Sequence, residues 1–117
     1  MATGPIKIPN PEKTGTFTPA SGITIGDLRV KQIGKIVEVH FYAYKSTGWG
    51  SSELNVGSVS GVTFPPTLLR KDCATGTQAY MALSSAYCFM NGSGAINLLS
   101  ANASHTYALF DFVYTVD

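Results

Sequence analysis

A chain of 117 residues makes one domain, large enough to bury about two thirds of its unfolded surface without disulfides or metals, and it excludes a second domain. Lys plus Arg number 8 and Asp plus Glu 7, with no run of like charge, which excludes an electrostatic footprint for nucleic acid or an anionic membrane. Gly at 12, aromatics at 11% and charged residues at 13% suit a turn-rich β protein rather than a coiled coil or a disordered chain, and the low charge points to a partly covered surface.

Pro5, Pro9, Pro11 and Pro19, with little periodicity around them, disfavour helix and sheet interior over residues 1–22. We expect an extended Pro-rich arm or linker at 1–16 and a β-sandwich head domain at 17–117. No apolar h-region follows Met1 and no apolar run approaches the roughly 18 residues of a spanning helix, so synthesis in the cytoplasm without a signal peptide or membrane insertion is expected. Ile23 and Ile25 open an apolar strand, with Gly26 marking a bulge or bend.

Residues 28–44, LRVKQIGKIVEVHFYAY, are predicted to form a β-hairpin turning at Gly34 and Lys35. A two-residue loop sets Ile33 opposite Ile36 and fixes every pair outward from it: Gln32 with Val37, Lys31 with Glu38, Val30 with Val39, Arg29 with His40, Leu28 with Phe41, and Asp27 with Tyr42. Alternation then gives an apolar face of Leu28, Val30, Val37, Val39 and Phe41, and a polar face of Asp27, Arg29, Lys31, Glu38, His40 and Tyr42. Lys31 against Glu38 supports this register, because opposite charges directly across an antiparallel pair contribute about 0.2–1 kcal/mol.

A Gly and Ser loop, KSTGWGSS, follows and carries Trp49, and a weakly patterned strand over 54–60 leads to Pro65 and Pro66, which end it. Residues 67–76 read as an irregular crossing and 77–83 as an alternating strand. A second hairpin pairs 85–90 with 95–99 around Asn91-Gly92-Ser93-Gly94. With a loop of two or four residues, Tyr87 and Phe89 share a face with Ile96 and Leu98. The last strand, 106–116, is apolar at Ala108, Phe110, Phe112, Tyr114 and Val116 and mixed at Tyr107, Leu109, Asp111, Val113 and Thr115.

About eight strands and no helix window make an all-β protein, expected as an antiparallel two-sheet sandwich of jelly-roll type. The mixed face of the terminal strand, with the low charge count, points to packing against another copy of the chain. Candidate subunit-interface residues are Arg29, His40, Leu109, Asp111 and Val113.

Catalytic chemistry has little to hold. Cys88 with His105 or His40 lacks a nucleophile motif, Cys73, Cys88 and the two histidines lack the short spacing of metal half-sites, and a reduced cysteine pair is expected. Asp27, Glu38, Glu53, Asp72 and Asp111 show no pairing of the kind glycoside hydrolysis needs. The expectation is therefore a protein that is not an enzyme, with no metal and no cofactor. Trp49, flanked by glycines, either plugs an open end of the sandwich or offers a flat apolar face to a ligand such as a sugar ring. Tyr42, Tyr44 and Tyr80 are candidates to extend such a ligand-binding platform.

Four stretches in order, R-V-K-Q-I-G-K-I-V-E-V-H, G-V-T-F-P-P-T-L-L-R, M-N-G-S-G-A-I and F-D-F-V-Y-T-V, give residues 15–117 a pattern that resembles the C-terminal head domains of bacteriophage tail-fibre and receptor-binding proteins. The resemblance implies a homotrimer in the virion at a tail tip or fibre, joined to the rest of the tail by the N-terminal arm. Its implied partner is a host cell-surface glycan or protein, and it supplies no binding residue. The alternatives are a virion structural or decoration protein without a ligand, and a monomeric carbohydrate-binding module.

Overall fold

The computed structural model describes residues 12–77 and 82–116, and within them the chain is all-β with no helix. Its strands are β1 (Glu12–Thr14), β2 (Thr16–Pro19), β3 (Thr24–Ile33), β4 (Ile36–Tyr44), β5 (Leu54–Ser60), β6 (Leu69–Gly76), β7 (Ala82–Met90), β8 (Ala95–Ser100) and β9 (Tyr107–Thr115). All nine are antiparallel in one sheet, in the order β1-β3-β4-β9-β6-β7-β8-β5-β2. Within it β9 returns to lie beside β6, ahead of β7 and β8, which is the strand order of a Greek key.

The two ends of this sheet are consecutive in sequence. Residues 12–19 pair first with β3 and then with β5, so a single short segment nearly closes the sheet on itself. Gly15 makes the switch. Its N–H donates to Val30 O at 2.8 Å, and a Cβ at this position would lie 2.5 Å from Ser60 O and 2.6 Å from Val30 Cγ1. Only a residue without a side chain lets these backbones approach. Glu12–Thr14 and Thr16, expected in the arm at 1–16, are strand residues of this sheet, and residues 1–11 lie outside the described residues.

This near-closure gives β4, β8 and β9 an inner face, and alternation fills it. Val37, Val39, Phe41 and Ala43 of β4 and Ala108, Phe110, Phe112 and Tyr114 of β9 are buried, as are Ile96 and Leu98 of β8. Phe41 stacks on Phe17 at 4.3 Å and on Phe110 at 4.7 Å between ring centroids, which joins β2, β4 and β9 through the core. At the end beneath the Gly34 turn, buried Gln32 donates to Gly34 O at 2.9 Å and accepts from Thr63 N at 2.8 Å. Tyr114 donates its hydroxyl to Thr63 O at 2.6 Å. The 61–68 segment is tied across this end by those bonds.

Burial pushes the Tyr114 phenol from its ordinary value of 10.0 up to about 12. Between those values the unfolded chain has released a proton that the native chain retains, so stability falls as pH rises. The contribution is complete below pH 10 and is lost progressively towards about 12. Thermal unfolding followed by circular dichroism across this range is expected to show the loss, and Tyr114→Phe to remove that component of it.

The first hairpin turns at Gly34 and Lys35 with the expected register from Ile33–Ile36 out to Arg29–His40. Beyond Arg29 the register shifts, and Gly26, not Asp27, stands opposite Tyr42. Asp27 adopts φ 51°, the only non-glycine residue with positive φ among those described, and Leu28 leaves the apolar face to become 40% exposed. A bulge inserts extra residues on one strand and breaks the alternation that the rest of the hairpin obeys.

Of the 67–76 stretch, expected as an irregular crossing, Leu69–Gly76 is the ordered strand β6. Of the strand expected over 77–83, Thr77 is a bend and residues 82–83 open β7, while 78–81 lie outside the described set. In the second hairpin Met90 faces Ile96 and Phe89 faces Asn97, so Cys88 and Met90, not Tyr87 and Phe89, share the inner face with Ile96 and Leu98. The cause is a loop of odd length. Gly94 N–H donates to Asn91 O at 3.0 Å and Asn91 N–H to Ala95 O at 3.1 Å, with Gly94 at φ 85°, the pattern of a turn closed by a G1 bulge.

Candidate functional site

Residues of β3, β4 and β9 that do not face the core form one continuous outer surface. Cross-strand pairing sets Glu38 against Val113, His40 against Asp111, Tyr42 against Leu109 and Tyr44 against Tyr107. Among the described residues, every large apolar side chain counted as exposed, apart from Leu68, belongs to these strands: Leu28, Ile33, Ile36, Tyr42, Tyr44 and Val113. The candidate ligand residues Tyr42 and Tyr44 and the candidate interface residues Arg29, His40, Leu109, Asp111 and Val113 are therefore brought together on one face.

Three zones follow one another along it. Next to the Gly34 turn, Lys31, Ile33, Ile36, Glu38 and Val113 line an apolar hollow of about 330 Å³. In the middle, His40 lies with Nε2 3.4 Å from Asp27 Oδ2 and Nδ1 3.5 Å from Asp111 Oδ1, its side chain 14% exposed. A neutral imidazole carries one N–H and can donate to one of these carboxylates, whereas an imidazolium donates to both. Arg29 adds a 3.9 Å contact to Asp27, and Lys71 Nζ donates to Asp111 O at 2.5 Å. The cluster sits at the bulge, where Asp27, at φ 51°, has its side-chain Oδ2 within reach of Arg29 and His40.

At the far end Tyr42, Tyr44 and Tyr107 border an apolar cleft of about 300 Å³ with Thr24, Ile25, Gly26 and Ala43. The rings of Tyr44 and Tyr107 are 4.8 Å apart and tilted by 47°. Gly26 is open enough that a Cβ there would meet only the Tyr42 ring, at 3.6 Å, so Tyr42 covers the backbone opposite it. Tyr107 was not among the sequence candidates, although its odd position in the last strand placed it on this face.

Trp49 is not part of this surface. It is 3% exposed, its backbone N–H bonds to His105 O at 2.9 Å, and Gly50 N–H bonds to Ala103 O at 3.1 Å. The indole belongs to the core at the end away from the Gly34 turn, which corrects its candidacy as a ligand platform and leaves the plug. Tyr80 lies outside the described residues. Cys73 and Cys88 are both free and buried; the neighbouring Cys88 thiol, and then burial, push the Cys73 thiol far above the usual thiol range, which keeps it protonated and unreactive.

No protein-family model matches this chain, and a search of curated proteins gives no significant match.

Proposed function

We propose that the chain is the head domain of a phage or prophage tail-fibre or receptor-binding protein, adhering to a bacterial surface glycan or protein without catalysing a reaction. In this reading the head is a jelly-roll-type sandwich, assembled as a homotrimer in the virion, with the N-terminal arm leading to the rest of the tail. One observation carries it: the exposed apolar side chains are concentrated on β3, β4 and β9, with a charge-compensated cluster at their centre. Exposed apolar side chains gathered on one face, here in two zones either side of that cluster, support an interaction surface over free solvent exposure. The Greek-key order of β6 to β9 supports the jelly-roll part. No helix among the described residues is long and apolar enough to cross a membrane.

Light scattering on the purified chain is expected to give a trimer. Val113 and Ile36 are 61% and 55% exposed, so a Val113→Asp, Ile36→Asp double variant is expected to fold and run as a monomer. A stable monomeric wild type that binds no cell in a screen of bacterial strains overturns the reading. The Tyr42, Tyr44 and Tyr107 cleft favours a second one, a monomeric carbohydrate-binding module. Binding with no self-association selects it.

A further inference from the structure

On the other side of the closed sheet, separated from β4 by β9, β6 and β7 in one direction and by β3, β1, β2 and β5 in the other, the register builds a second and more polar depression. Phe89 of β7, Asn97 of β8 and Asn55 of β5 are directly paired across the strands, one row on the outer surface. Adjacent strands are about 4.8 Å apart, so the row spans about 10 Å. Its polar members are held in place by one another. Asn97 Nδ2 donates to Glu53 Oε2 at 2.7 Å, and Asn55 Nδ2 donates to Asn97 Oδ1 at 2.9 Å and to Ile96 O at 3.3 Å.

Glu53, Leu68, Phe89, Asn91, Ala95 and Asn97 line a hollow of about 180 Å³ at one end of this row. Asn91 spends its Oδ1 inside the turn, accepting from Ser93 N at 2.9 Å and Ala95 N at 3.1 Å, and no described residue accepts from its Nδ2. Leu68 is 62% exposed and Phe89 half-buried, so an apolar wall stands beside one carboxylate and two carboxamides. A sugar ring carries the complementary chemistry. Its axial C–H face packs on an aromatic ring, its vicinal hydroxyls donate to a carboxylate with the strength of charge-assisted bonds, and they accept from amide N–H groups.

We propose that this hollow binds a neutral hexopyranose. The ring packs against Phe89 and Leu68, two adjacent hydroxyls donate to Glu53, and Asn97 and Asn91 amides donate to hydroxyl oxygens. Among the described residues that line the hollow only Glu53 is charged, which selects against acidic sugars. The inference deepens the adhesion reading and rests on it for its biological role, since this surface stays outward when β3, β4 and β9 meet a neighbouring copy.

The test uses the full chain, titrated by NMR with the methyl glycosides of glucose, galactose, mannose and N-acetylglucosamine, beside whole-cell binding. At least one glycoside is expected to bind. Asn97→Ala and Glu53→Gln, both at surface positions, are expected to weaken it about tenfold or more, the loss of one hydrogen bond involving a charged or fixed polar group. Phe89→Ala is expected to do the same, and Lys35→Ala, in the exposed turn of the first hairpin, to leave it unchanged. No glycoside bound by the wild type, or binding unaltered by both Asn97→Ala and Glu53→Gln, overturns the site. Wild-type binding to cells, together with glycoside binding that Asn97→Ala and Glu53→Gln leave unaltered, overturns the site and leaves adhesion standing. Glycoside binding lost in Asn97→Ala, in a chain that binds no cell, supports the site and overturns adhesion.

Discussion

Val39→Asp is expected to leave the chain unfolded at neutral pH. Val39 is 0% exposed and sits between Val30 on β3 and Phe112 on β9, so its side chain has apolar neighbours on both flanks. Among the described residues the buried polar side chains are Gln32, Thr75 and Ser100, none of them a cation. A carboxylate placed there keeps its charge without a partner or takes up a proton, and either route costs several kcal/mol against a total stability of about 5–15 kcal/mol. Val39→Ala separates charge from cavity, and about 0.5–3 kcal/mol is expected to be lost with the fold retained. Phe41→Ala removes the middle ring of the Phe17, Phe41 and Phe110 stack and is expected to cost about 3–5 kcal/mol. Urea unfolding followed by far-ultraviolet circular dichroism measures all three. A cooperatively folded Val39→Asp variant overturns the inward placement of β4.

Why that placement was legible in the sequence, and other features were not, comes down to what sets strand phase. From Ile33–Ile36 to Arg29–His40 the pairing follows from a two-residue turn and a clean alternation, and β9 shows the same alternation from Ala108 to Tyr114. Both strands have one face against the core throughout, so pattern and structure coincide. At Asp27 the alternation stops for a reason that residue types alone do not reveal. Gly26 signals a bend, but how many residues the bulge inserts, and that Leu28 turns outward, is decided by pairing with β4. β6 hid in the same way. Its register breaks between Asp72 and Ala74, and its first half is mostly exposed, leaving too short an apolar alternation to announce a strand.

The candidate sites divide along the same line. The sequence marks Tyr42 and Tyr44 as ligand residues and His40, Asp111 and Val113 as contact residues through two separate patterns, and the β4–β9 pairing puts them on one surface. Trp49 could not be assigned from its glycine-flanked loop because its burial depends on the 103–105 segment, distant in sequence. For Phe89 and Asn97 the reason is sharper. A hairpin loop of even length puts Phe89 inside with Ile96 and Leu98, whereas the odd loop puts it outside, opposite Asn97. A one-residue difference exchanges the two faces of both strands.

Gly94→Val is accordingly expected to damage the fold and the saccharide hollow together. Gly94 holds φ 85°, and a Cβ there would lie 2.6 Å from Val59 O and 2.7 Å from the Phe64 ring. A β-branched residue in the left-handed region costs about 1–3 kcal/mol, and forcing atoms against packed neighbours costs about as much again. The backbone oxygen of Val59 has no room to move without breaking the β2–β5–β8 connection, because Gly94 O accepts from Val59 N at 2.9 Å. The turn therefore either strains in place or abandons the G1 bulge. Abandoning it shortens the loop to an even count and carries Phe89 towards the core side while Met90 turns out. A combined readout separates these ends: strain in place lowers the urea midpoint and keeps glycoside binding, whereas a register change abolishes binding and exposes Met90 to mild oxidation. The second result is expected if Gly94 alone holds the register, and a variant with unchanged midpoint and unchanged binding overturns the role assigned to this glycine.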